Sequence, residues 1–168
     1  MYDDDIDELT EDGGLPEVSQ KLHPLLRLWI LRLLMRMRGH RKFVRFRGLA
    51  DDDIAVALGL RKHVSLLSDR FDRTGVMDEL NAKHQAAEAR RDRIRAPAVL
   101  ARNVTRLGTM LELTPANCRI LEFAVLVNQE EMLDNACDWL GHSLSTTQVV
   151  RALSRLLELS EHRVAQSL

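Results

Sequence analysis

At 168 residues and 19.2 kDa the chain is long enough to bury a core without disulfide staples, and its 45% hydrophobic and 29% charged residues are ordinary for a soluble globular protein. The net charge of -1 hides a segregation: residues 1–20 carry eight acids and no base, whereas residues 21–47 carry nine Lys or Arg and no acid. These values exclude a uniformly basic nucleic-acid coat, and the acidic MYDDDIDEL start is the opposite of a secretory leader. A cytoplasmic setting with reduced thiols is therefore expected.

Residues 1–20 lack hydrophobic periodicity, contain Gly13-Gly14 and Pro16, and read as a disordered acidic lead-in. From Leu22, LHPLLRLWILRLLMRMR is apolar nearly all round, which predicts a helix surrounded by other elements. Arg27, Arg32 and Arg36 interrupt it and exclude a transmembrane span. Pro24 suits the first turn and Gly39 ends the helix.

The HRKFVRFR segment that follows is too short to decide between an irregular stretch and a brief strand, and is read as a loop. Asp51 to Asp53 stand where a helix N-terminus favours acids, and that helix closes at Gly59. A short helix is predicted over 61–69, and a long, largely exposed one over 76–96 with anchors at Val76, Leu80, Ala87 and Ile94. Pro97 breaks it and opens another, in which Leu100, Val104, Leu107 and Leu111 recur at helical spacing.

Thr114-Pro115 is a cap followed by proline at the first helical position. The helix it opens carries Ile120, Leu121, Ala124 and Val125 on its predicted core face. A helix over 129–140 stops at Gly141, Ser145 caps the next, and Ser160 caps a last one that reaches the final residue. The predicted fold is all-α: a lead-in over 1–20, a helical domain over 21–112, and a helix-turn-helix-like four-helix subdomain over 113–168. A chain that stops inside an amphipathic helix reads as a piece of something longer.

No catalytic motif is present. G-x-x-x-x-G-K-[ST], G-x-S-x-G, H-E-x-x-H, C-x-x-C and G-x-G-x-x-G are all missing. The six histidines are scattered about twenty residues apart, against metal-ligand spacing, and Cys118 and Cys137 are read as small buried apolar residues. Acid pairs such as Glu130-Glu131 and Glu158-Glu161 are read as exposed faces and helix starts. The expectation is a non-enzyme with no catalytic, cofactor or metal residues.

The candidate contact residues are basic. Arg38, Arg41, Lys42, Arg45 and Arg47, with Phe43 and Phe46, combine cations with rings as nucleic-acid grooves do. Asp51 to Asp53 and the acidic lead-in offer internal neutralisation, so self-pairing or a protein interface is the favoured reading. Arg151 and Arg155 form a second set on the helix that takes the recognition position of a helix-turn-helix, where Thr147 and Gln148 could read bases.

Taken in order, LWILRLL at 28–34, GHRKF at 39–43, DDDIAVALGL at 51–60, PAVLARN at 97–103, the 113–126 helix and LGHSLS at 140–145 resemble the region upstream of the ATPase module in a group of bacterial AAA-family ATPases. The resemblance spans most of residues 22–168. It implies that ATP binding, hydrolysis and ring assembly belong to a C-terminal module outside these residues, and that this part recognises a partner or substrate protein and regulates or assembles the motor, with homo-oligomers formed through that parent protein. The alternative is a DNA-binding helix-turn-helix regulator. No membrane partner is expected.

Overall fold

A computed structural model describes residues 22–64, 71–141 and 143–168. Among the described residues the chain forms nine α-helices and no β-strand, as an all-α bundle. The acidic lead-in, and most of the short helix expected over 61–69, lie outside the described residues.

Helix α1 (Pro24–Met35) is the centre of the bundle. His23 caps it through a ring nitrogen that accepts from the Leu25 N–H, and Pro24 occupies the first turn. Seven of its apolar residues between Leu26 and Leu34 are at most 3% exposed, because α4 (Arg73–Glu88), α7 (Glu131–Asp138) and α8 (Thr146–Leu157) pack around it. A helix apolar on every side can be accommodated only by being enclosed.

The helix ends at Met35, and the turn that follows departs from the simple expectation for Gly39. Arg38 adopts the left-handed conformation (φ 62°), while Gly39 stays right-handed at φ −57°. Glycine is required there by close approach: its N–H donates to the Leu33 carbonyl at 3.1 Å, and a Cβ would stand 2.8 Å from that oxygen. Gly39→Ala is therefore expected to lower stability by about 1–3 kcal/mol, read as a lower urea midpoint. A cost near zero would mean that the backbone yields there.

The segment read as a loop contains one helical turn, α2 (His40–Phe43), and then an antiparallel bridge between Val44 and Leu49. Phe43 is buried against the Trp139 ring, with centroids 5.0 Å apart. Asp51 caps α3 (Asp52–Ala57) by accepting from the Ile54 N–H. Arg61–His63 makes only a single 3-10 turn.

Helix α4 (Arg73–Glu88) is shorter than the stretch expected over 76–96. It stops at Ala89, and a 3-10 turn at Arg91–Arg93 redirects the chain. Val76 and Leu80 are buried against α1 as anchors. Helix α5 (Ala98–Met110) buries Val104, but Leu107 and Leu111, expected to face inward, are exposed, because α5 packs mainly on one neighbour, α6.

Thr114 and Asn117 form a capping box at the start of α6 (Pro115–Gln129), as Ser145 and Gln148 do at α8 (Thr146–Leu157). Ser160 caps α9 (Glu161–Ala165), and α7 (Glu131–Asp138) lies between α6 and α8. The inward residues of α6 are Ala116 and Leu126, with Phe123 against Trp29, while Ala124 is exposed. Of the expected face, Ile120 packs against the core, joined there by Phe123 and Val127. One apolar cluster joins residues from α1, α3, α4, α6, α7, α8 and α9, so the 21–112 and 113–168 parts share a core.

Candidate functional site

The basic run forms a projection. After α2 the chain turns back at Arg45–Gly48, with the Arg45 N–H donating to the Gly48 carbonyl at 2.9 Å and the Ala50 N–H to the Phe43 carbonyl at 2.8 Å. These bonds fix the base of the turn and push Arg45-Phe46-Arg47 outward. Phe46 is 85% exposed, the most exposed large apolar side chain among the described residues. Arg38, Arg41, Lys42, Arg45 and Arg47 are all exposed.

Internal neutralisation by Asp51 to Asp53 is not what the structure shows. None of the five cations pairs with an acid among the described residues. Asp51 is used as a helix cap, while Asp52 and Asp53 face solvent.

Arg151 and Arg155 are exposed on α8, as the second set requires. With Met37, Leu140 and Leu144 they line a shallow groove of about 290 Å³. Met37 immediately precedes Arg38, and the Arg36 guanidinium donates to the Arg155 carbonyl at 3.3 Å, so the second set lies beside the end of α1, from which the first set follows in the chain. Gln148 also lines this groove, but its side-chain oxygen accepts from the Ser145 N–H at 2.8 Å, which restrains it as a base reader.

Sequence reasoning missed an ion cluster built around the buried Arg32. Arg32, 1% exposed, donates through Nε and Nη2 to both carboxylate oxygens of Glu88 (2.7 and 2.8 Å) and through Nη1 to the Leu156 carbonyl at 2.6 Å. Its Nη2 also lies 2.9 Å from a Glu158 carboxylate oxygen. Arg36 bridges the same two acids at 3.0 and 3.1 Å, and Arg91 approaches Glu158 at 3.3 Å. Glu158 is exposed, as expected, yet from the left-handed region at φ 56° its carboxylate also joins the end of α8 to Arg32 and Arg36 of α1. The available signal was an arginine inside a largely apolar helix.

The charges respond accordingly. Burial alone would lift the Glu88 and Glu158 carboxyls, but Arg32 and Arg36, with Arg91 at Glu158, hold both below the usual range. Hydrogen bonds from Lys62, then His63 and Lys83, bring Glu79 down to about 2 against burial. Burial, aided by Arg36 and Arg32, depresses His84 against the pull of Glu88. Burial raises Glu122, with Arg119 opposing.

The depressed carboxylates are more acidic folded than unfolded, so their stabilisation is complete above about pH 4.5 and disappears as pH falls through the folded values, reaching about 2 for Glu79. His84 takes its proton first in the unfolded chain, so its loss begins below about pH 6.5. Glu122 acts in the opposite sense, gaining stability as pH falls through its raised folded value. Urea midpoints should therefore decline from pH 6.5 to 3, with Glu79→Gln flattening the part below pH 4.5. A flat wild-type profile would contradict this.

Cys118 and Cys137, expected to be buried, are each only partly so; burial beside Asp134 and Asp138 pushes the Cys137 thiol up to about 12, which suppresses its nucleophilic form. Among the described residues no three His, Cys, Asp or Glu side chains are placed to hold a metal ion, and no helix is long and apolar enough to cross a membrane. In comparisons with known proteins, no family model, no curated protein and no solved structure matches this chain.

Proposed function

We propose that this chain is a helical recognition module that docks an acidic protein partner through the Arg38–Arg47 projection, and that it serves as the non-catalytic region upstream of an AAA-type ATPase module, regulating or assembling that motor. The supporting observation is five exposed cations without acid partners among the described residues, arranged about a protruding Phe46. An aromatic side chain flanked by arginines is the composition of an interface anchor, and the surrounding charge steers the encounter.

A photo-crosslinking residue at position 46, in the full chain inside cells, tests the docking reading. Crosslinks to protein are expected, reduced about tenfold or more by R41E/K42E/R45E/R47E. Crosslinks indifferent to those reversals, or none at all, reject it. ATP-hydrolysis assays on these 168 residues should show no turnover, and measurable turnover rejects the non-enzyme assignment.

The second reading, a DNA-binding regulator, is favoured by Arg151 and Arg155 on the outward side of α8. It requires duplex binding that falls steeply with salt and is lost with R151A/R155A. Crosslinks from position 46 to nucleic acid in place of protein would also move the balance toward it.

A further inference from the structure

The start of α1 and the end of α4 form a groove of about 850 Å³ remote in sequence from the basic projection. Arg27, Lys83, Arg90, Arg93 and Arg95 line it, and no acid does among its described lining residues. Lys83 is partly answered by Glu79 at 3.3 Å, Arg27 donates to the Ala57 carbonyl, and Arg95 donates to the Asp92 and Ile94 carbonyls. Arg90 and Arg93 are exposed and have no side-chain partner among the described residues. Leu22, Pro24, Ala86 and Ile94 supply an apolar floor between the cations.

We propose that this groove is the docking site of the chain's own acidic segment, residues 2–20. The complementarity is in both sign and pattern: eight acids and no base, with Ile6, Leu9, Leu15 and Val18 interspersed, against five cations over an apolar floor. The attachment point favours this groove over the basic projection. Leu22 is itself a wall of the groove, so the segment enters at one end with no span to cross. A tether this short holds the segment at an effective concentration of about millimolar, enough to occupy a weak site. The segment thereby covers the groove and leaves Arg38–Arg47 free. This surface shares no residue with the projection, so either reading can fail without the other.

The test uses the full chain with its eight acids replaced by amides (D3N, D4N, D5N, D7N, E8Q, E11Q, D12N, E17Q) and a fluorescent peptide of residues 2–20 added in trans. Binding by anisotropy is expected, weakening about tenfold between about 50 and about 300 mM salt. It should weaken about tenfold or more with R90E/R93E and about fivefold with the milder R90A/R93A, each checked for helix content, and stay unchanged with K42E/R45E. The wild-type chain, whose own segment competes, should bind the peptide about tenfold more weakly. No binding, binding indifferent to R90E/R93E, loss with K42E/R45E instead, or equal affinity for the wild-type chain would each overturn the proposal.

Discussion

Replacing Arg32 with methionine is expected to lower stability by about 3–5 kcal/mol, because the change strands the half-buried Glu88 carboxylate and removes a partner from the exposed Glu158. Glu88 loses both of its hydrogen bonds to Arg32, and the Leu156 carbonyl loses its donor. Arg36 still reaches both acids and limits the damage, but from a side chain that is 30% exposed. The melting temperature should drop by roughly 10 °C, taking a few degrees per kcal/mol for a domain of this size. Methionine keeps much of the stem's packing, so the loss reports charge more than volume.

The cycle decides what the cluster is for. In R32M/E88Q/E158Q no buried charge is left unbalanced, and most of the loss should be recovered, since apolar replacement of a whole buried ion group is often close to neutral. Urea unfolding followed by circular dichroism measures both variants. A cost below about 1 kcal/mol for Arg32→Met alone would show that water already reaches the cluster. Full recovery in the triple variant would mean that the ions add no net stability over their neutral replacements.

Trp29→Ala should be of similar size, about 3–5 kcal/mol, from lost apolar burial plus the cavity left behind. Trp29 is 1% exposed on α1 and meets the Phe123 ring of α6 edge-on, with centroids 5.3 Å apart. Its indole N–H has no hydrogen-bond partner among the described residues, so Trp29→Phe discards an unsatisfied donor together with some volume and should cost clearly less.

The position of Trp29 makes the variant a test of cooperativity. Trp139, beside Phe43 at the end of α7, remains as the sole tryptophan reporter in the C-terminal part. Because 22–112 and 113–168 share one core, Trp29→Ala should move the Trp139 fluorescence transition and the helix-content transition together. An unmoved Trp139 transition would show two independently folding parts.

Local chemistry carried most of the secondary structure into legibility. Asp51, Thr114, Ser145 and Ser160 each accept from an amide three residues ahead, so the helix starts could be read from adjacent residues. The enclosure of α1 was equally legible, because its apolar surface has no side left for water. The basic projection was visible as composition, although its turn was not: Val44 and Leu49 pair across a stretch with no strand periodicity.

The use made of each charge was a different matter. Arg32 looked like a mere interruption of an apolar helix, and only tertiary packing gives it Glu88, 56 residues away, and Leu156, 124 away. The same packing left Arg38–Arg47 without acid partners among the described residues, and set Leu22 beside five cations from α1, α4 and the chain that follows α4. By itself the sequence determined where helices begin and which of them must be enclosed, since caps and apolar periodicity act over a few residues. Which cations are spent internally was decided by the tertiary structure, because ion pairing depends on distances of a few ångströms that only the docking of remote helices sets.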